Sequence, residues 1–200
     1  MIFTEILEKF PMIDGWCTEK KAVTLASIVI GMKPSVVVEV GVFGGKSALP
    51  MAMALKENGL GVIHCIDSWS AAVSVAGEEA ANADWWGSLD HEAIYQKFVS
   101  LTKSFGVEKY CKIHRSKSDD VKPPSFIDLF HCDGSHTDQA IKDVLRFASR
   151  VRTGGVVVMD DLEWSGGGVK RAVQTLESMG FRSLYTVVGE NENWGVFQKI

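Results

Sequence analysis

Apolar and polar positions along the chain alternate between short β-branched runs and longer amphipathic stretches. Residues 35–40 (SVVVEV) form a near-continuous apolar run, as a strand covered on both faces requires. A glycine-rich break at 41–45 follows, and residues 47–57 read as a helix ending near Asn58-Gly59. Residues 61–66 (GVIHCI) predict a second strand closed by Asp67, and residues 112–114 a short third one. Residues 126–132 (FIDLFHC) predict a fourth, stopped by Asp133-Gly134. Residues 138–151 carry helical periodicity, with Ile141, Val144, Leu145 and Ala148 on one face. Thr153-Gly154-Gly155 reads as the end of that helix and the launch of a fifth strand at 156–159, followed by Asp160-Asp161. Another helix is predicted over 169–179, and residues 181–188 and 194–198, flanking Gly189-Glu190-Asn191-Glu192-Asn193, predict a β-hairpin.

Strands alternating with helices imply an α/β fold with a mostly parallel, doubly wound sheet, to which the C-terminal hairpin adds an antiparallel strand. The 200 residues suit one domain, 1–200, with residues 1–34 as an N-terminal helical segment. Residues 68–89, Ala-rich and carrying Trp85-Trp86, show few regular signals and are expected to be an irregular lid or acceptor loop.

Composition narrows the partners. With 46% apolar and 23% charged residues and a net charge of -4, the chain reads as soluble, with no electrostatic grip on nucleic acid or anionic lipid. Residues 1–14 do not read as a signal peptide, and the longest nearly apolar run, 22–32, falls short of the roughly 20 residues that span a bilayer. A cytoplasmic protein acting on a small molecule is expected, without nucleic-acid or membrane partners and with homo-oligomerisation open. Cys17, Cys65, Cys111 and Cys132 lack CxxC spacing and read as reduced structural thiols.

Ligands of an open parallel sheet bind at the carboxyl ends of the strands. The polar residues there are Glu39, Asp67, Asp133, Asp160 and Asp161, together with the 41–45 turn. Gly41, Gly44 and Gly45 allow close backbone approach at a helix N-terminus. Asp67 is placed to accept hydrogen bonds from ribose hydroxyls. This layout fits NAD or S-adenosylmethionine. Three features favour the second: the GxGxxG spacing is absent, the C-terminal strand is antiparallel, and Glu39 before the turn would repel a pyrophosphate but suits an ammonium and a sulfonium.

The segment 39–47 (EVGVFGGKS) resembles the first motif of class I S-adenosylmethionine-dependent methyltransferases, in the E-x-G-x-x-x-G-x-S form of the small O-methyltransferases. The resemblance implies a seven-stranded, Rossmann-like methyltransferase fold. It places Gly41, Gly45 and Ser47 at the methionine end of the cofactor, with Glu39 and Asp133 beside it, Asp67 at the ribose and Ser118 near the adenine. Two further segments, 133–136 (DGSH) and 160–166 (DDLEWSG), resemble the metal-dependent O-methyltransferases of catechol, caffeoyl-CoA and macrolide-sugar type. They imply Asp133, Asp160 and Asp161 as ligands of Mg2+ or another divalent cation, His136 as general base, and Trp164 at the acceptor; Trp16 is an acceptor-pocket candidate apart from the resemblance. Asp161 and His136 stand where the phenol-methylating enzymes carry Asn and Lys, which leans toward sugar or natural-product acceptors.

Elementary chemistry agrees with such a site. Two carboxylates about 4 Å apart repel by about 1 kcal/mol in water and about 4 kcal/mol at an effective dielectric of 20, so three together need a cation or a proton. An all-oxygen donor set suits magnesium. A donor with an activated methyl chiefly needs alignment with its acceptor. An ordinary His, with a pKa near 6.5, cannot ionise an alcohol outright, and a metal on that oxygen would help.

Blander readings stand beside these. Asp160 and His136 could serve loop and helix ends. His64, His114 and His131 read as core or edge histidines, His91 as a helix start, and Lys142, Lys170 and Arg171 as solvated helix faces. Trp16, Trp85 and Trp86 serve packing as readily as a pocket. Competing functions are a metal-independent N- or O-methyltransferase using His136 alone, a non-catalytic S-adenosylmethionine-binding protein, and a hydride-transferring dehydrogenase.

Overall fold

Each apolar run predicted as a strand enters one sheet. The computed structural model describes residues 2–189 and 192–200. Two helices, α1 (Ile2–Lys9) and α2 (Glu19–Met32), precede β1 (Val36–Val40). Then come α3 (Ala48–Asn58), β2 (Val62–Asp67), α4 (Ala71–Ser74), α5 (Ala80–Ser88), α6 (His91–Ser104) and β3 (Cys111–Arg115). The second half holds β4 (Ile127–Cys132), α7 (Gln139–Phe147), β5 (Val151–Asp160), α8 (Gly168–Ser178), β6 (Phe181–Gly189) and β7 (Glu192–Lys199). The strand order is β3-β2-β1-β4-β5-β7-β6. β1 to β5 pair in parallel, and β7 runs antiparallel to both β5 and β6. The expected seven-stranded sheet with its reversed C-terminal strand is therefore present. The hairpin residues Glu190 and Asn191 lie outside the described residues.

Two local expectations are corrected. β5 starts at Val151 rather than at 156 and runs through Gly154-Gly155. A 3-10 turn at Ala148–Arg150 ends the preceding helix early, and the ladder absorbs the glycines by a register shift opposite Ile127 and Leu129. Residues 68–89 are not irregular either, since they contain α4 and α5. Alanine favours helix, and α5 gains a docking surface where Trp85 and Trp86 meet Trp16, with ring centroids 5.1 and 5.7 Å apart.

Strand alternation sorts the core into two layers. Val37, Leu129, Val158 and Val196 face α1, α2, α3 and α6, meeting Ile6, Leu25, Leu49 and Phe98. Val38, Val40, Phe130 and Val157 face α7 and α8, meeting Val144, Phe147 and Leu176. Each such side chain contributes ~1.5–3 kcal/mol on full burial. Continuing the first series two residues along each strand reaches Glu39 after Val37, His131 after Leu129 and Asp160 after Val158. At the carboxyl edge, the face covered by α2 and α3 thus turns from apolar to ionisable.

Gly41 leaves β1 at φ +87°, where a Cβ would overlap the backbone of Asp133 and Gly134. The chain therefore leaves β1 pressed against the chain leaving β4. We expect Gly41→Ala to cost about 2–5 kcal/mol through left-handed strain and overpacking. Gly154→Ala, at φ +79° in open space, carries the strain alone and should cost about 1–2 kcal/mol. Thermal unfolding of the two variants separates the contributions.

Candidate active site

The carboxyl ends of β1, β2, β4 and β5 open into one cleft of about 1510 Å³. A typical small-molecule site occupies ~300–1,000 Å³, so this cleft has room for a cofactor and a second molecule together. Gly41, Ser47, Asp67, Ser118, Asp133, His136, Asp160, Asp161, Trp16 and Trp164 all line it. Two of the residues singled out in the sequence sit behind the wall. Gly45 packs under the Phe98 ring, and Glu39 is fully buried.

The glycine turn is held by Asp67. Its Oδ2 accepts the N–H groups of Val42 and Phe43 at 3.0 and 2.9 Å, and its Oδ1 accepts that of Trp69 at 2.8 Å. The Trp69 indole in turn donates to the Phe43 carbonyl at 2.9 Å. Asp67 thus ties the end of β2 to the turn after β1. Ser47, at the start of α3, donates to Glu39 Oε1, and His131 Nδ1 lies 2.9 Å from the same oxygen. Burial pushes the Glu39 carboxyl up to about 8, against the Ser47 hydroxyl and Lys21, which favour the carboxylate. Burial likewise pushes His131 down to about 3, so its imidazole is neutral. His131, read in the sequence as a core or edge histidine, is buried but not satisfied, because its Nε2 has no hydrogen-bond partner.

The acids expected to gather do so only in part. Ligand atoms of His131, Asp133 and Asp160 lie within 4.8 Å of one another. Asp161 is outside that group. Its backbone turns to φ +54° and its Oδ2 meets His136 Nε2 at 2.9 Å. Between the carboxylates of Asp133 and Asp160 lies the ammonium of Lys21, paired with Asp160 and 3.4 Å from Asp133 Oδ2. A divalent ion shared by these carboxylates would sit against that ammonium. At about 4 Å and an effective dielectric of 20, the repulsion would be about 8 kcal/mol. With Lys21 in place, the donor set does not fit a metal.

His136 stacks on Trp164 with centroids 3.8 Å apart, and its Nδ1 faces Glu78 Oε1 at 3.8 Å. Burial disfavours the imidazolium, but the hydrogen bond to Asp161 and the charges of Asp161, Glu78 and Asp133 outweigh it and raise the pKa. At the far side of the cleft, the Arg146 guanidinium donates to the carbonyls of Asp119 and Val121 at 2.8 and 2.9 Å, holding the Ser118 turn. Gln139 Nε2 reaches Asp119 and Asp143 at 3.1 and 3.2 Å. Lys21, Glu78, Gln139 and Arg146 escaped the sequence reading. Arg146 and Gln139 carry only the signal of lying on a predicted helix, and Lys21 and Glu78 sit in segments whose packing no motif encodes.

A mostly parallel sheet with one reversed strand and an acid-clamped glycine turn at its carboxyl edge make up a Rossmann-like methyltransferase fold. The sequence profile of the methyltransferase domain matches residues 38–162, and the chain belongs to that family. Solved structures agree on the fold. TomG, an O-methyltransferase from Streptomyces achromogenes involved in tomaymycin synthesis and solved with SAM, is 15% identical over 99% of this chain and 89% of that one, with a TM-score of 0.67. An O-methyltransferase from Bacillus cereus, solved with SAH, is 12% identical over 99% of this chain and 90% of that one, with a TM-score of 0.65. The methyltransferase PaMTH1 from Podospora anserina, also solved with SAH, is 12% identical over 100% of this chain and 88% of that one, with a TM-score of 0.66. Comparison with curated protein sequences gives no match.

Burial pushes the Asp143 carboxyl up from 3.8 to about 6, against the Ser118 hydroxyl and the Gln139 amide. The folded chain keeps this proton to higher pH than the unfolded chain, so the group's contribution to stability is present below pH 4 and is lost as pH rises through 6. Asp143→Asn should therefore gain about 2 kcal/mol relative to the native chain between pH 4 and pH 7. Urea denaturation at the two pH values measures the difference.

Proposed function

We propose that this protein transfers the methyl group of S-adenosylmethionine to a hydroxyl of a small acceptor, of sugar or natural-product type, with His136 as the general base. The observation that carries this reading is His136 itself, aimed into the same cleft as the Gly41 turn and held by Asp161 on one nitrogen and Glu78 near the other. The SAM- and SAH-bound relatives of the same fold support the choice of cofactor.

The chain's own residues have defined tasks in such a reaction. The turn of 41–45, braced by Asp67, receives the amino-acid end of the cofactor at the start of α3, and Asp67 and the Ser118 turn flank its nucleoside. Trp16, Trp85, Trp86 and Trp164 supply flat apolar walls on the acceptor side. Alignment of sulfur, methyl and oxygen is the main contribution to the rate. As the oxygen–methyl bond forms, the sulfur–carbon bond breaks with its electron pair staying on sulfur, and the hydroxyl proton passes to His136 Nδ1, the ring nitrogen that has no hydrogen-bond partner while Nε2–H donates to Asp161. Asp161 then stabilises the imidazolium, in the role of an orienting acid rather than that of a metal ligand. The Mg2+ that the sequence motifs imply has no part in this reading, because Lys21 stands between Asp133 and Asp160.

Isothermal titration with S-adenosylhomocysteine should show one site per chain, and a folded chain that does not bind it ends the proposal. His136→Ala should leave that affinity intact and lower kcat by about 10²–10⁴-fold with an accepted substrate. A base acts unprotonated, and the His136 pKa is raised above its ordinary 6.5. The acid limb of kcat/KM should therefore lie above pH 6.5, and Asp161→Asn should move it to lower pH.

A further inference from the structure

The chemistry above leaves Lys21 without a task, although it is the most enclosed cation at the site. It stands in the first turn of α2, and its side chain is 5% exposed. Thr18 caps that turn by accepting the Lys21 backbone N–H at 3.1 Å, and donates to Glu192 of β7 at 2.5 Å. The helix start is therefore fixed to the sheet edge, and the Lys21 stem has one direction to take. Its ammonium meets Asp160 and Asp133, while the neutral His131 presents an unpartnered Nε2 at 3.4 Å from Asp160 Oδ2.

We propose that the Lys21 ammonium is the resident cation of this centre, a positioning residue that holds Asp133 and Asp160 in place and excludes a divalent metal from them. Among the described residues, His131, Asp133 and Asp160 are the group with converging ligand atoms, and the ammonium bonds both of its acids. An imidazole nitrogen and two carboxylates are otherwise a competent donor set for a divalent ion. One unit charge on a covalent stem bridges the pair and offsets one of its two charges without depending on ion supply. Methyl transfer then runs with His136 as base and no metal. The inference rests on the methyltransferase reading only for what the centre is used for, since metal exclusion is a property of the folded chain.

Removal of the ammonium should open the site. The native chain, stripped with EDTA, should leave the Mn2+ electron paramagnetic resonance signal undiminished, and its turnover should not respond to EDTA or added Mg2+. Lys21→Met, which keeps the stem and removes the charge, should bind one Mn2+ about tenfold or more tighter than the native chain, an effect of deleting a like charge beside the ion. Asp160→Asn on that background should abolish the gain, which a merely structural lysine would not produce. The proposal is overturned by stoichiometric Mn2+ binding to the native chain that Asp160→Asn removes, or by a folded Lys21→Met that binds no tighter. Should Lys21→Met not fold, Lys21→Gln takes its place, and the native titration with its Asp160→Asn control decides by itself. Binding of S-adenosylhomocysteine is measured on the same samples. Its absence counts against methyl transfer and leaves the metal result standing, whereas its presence with native Mn2+ binding counts against Lys21 alone.

Discussion

The site depends on a buried electrostatic constraint. One face of the sheet is apolar along the middle of β1, β4 and β5 and becomes ionisable at their ends, where Glu39, His131, Asp133 and Asp160 crowd together. Removing one partner from a buried ion pair costs about 3–5 kcal/mol. Lys21 is therefore as much a fastening of α2 to the sheet as it is part of the cleft. The neutral His131 and the shifted Glu39 behind it show how this interior limits its net charge: burial favours the uncharged form wherever no counter-ion is at hand.

A second constraint, of space rather than charge, shapes the glycine-turn side of the cleft. Gly41 and Asp133 approach so closely that β1 and β4 deliver their following loops to one point. Asp67 spends both oxygens on backbone N–H groups, so the acid at the end of β2 braces the turn before it meets any ligand. The opposite wall of the cleft is built differently, from helices. α5 lays Trp85 and Trp86 against Trp16, and Glu78 in the segment just before it comes to His136. The cleft thus lies between a sheet edge on one side and a helical cover on the other.

Much of this could be read from the chain. The run at 35–40 is near-continuously apolar, as a strand covered on both faces requires, those at 61–66 and 126–132 also read as strands, and the glycines and acids that end them mark the cleft. What misled lay where one local rule competed with another. Gly154-Gly155 looks like a helix stop but sits inside β5, in the stretch where the register against β4 shifts between the Ile127–Val151 and Leu129–Val156 pairs. Residues 68–89 looked irregular because α5 has no apolar stripe of its own and no buried residue, being held through its aromatic pair.

The alternation of strands with helices, the doubly wound class, the glycine turn and the list of acids at the strand ends are properties of the sequence by itself, since period and turn chemistry act over a few neighbouring residues. Which acid meets which partner was decided only by the tertiary structure. Asp161 is adjacent to Asp160 yet faces His136, because a left-handed backbone at Asp161 sends the two side chains apart. Lys21 is separated from Asp133 by 112 residues and reaches it because α2 packs on that face of the sheet. Charges cluster by packing geometry rather than by spacing along the chain, and no local pattern records where a helix from the first thirty residues will set down its lysine.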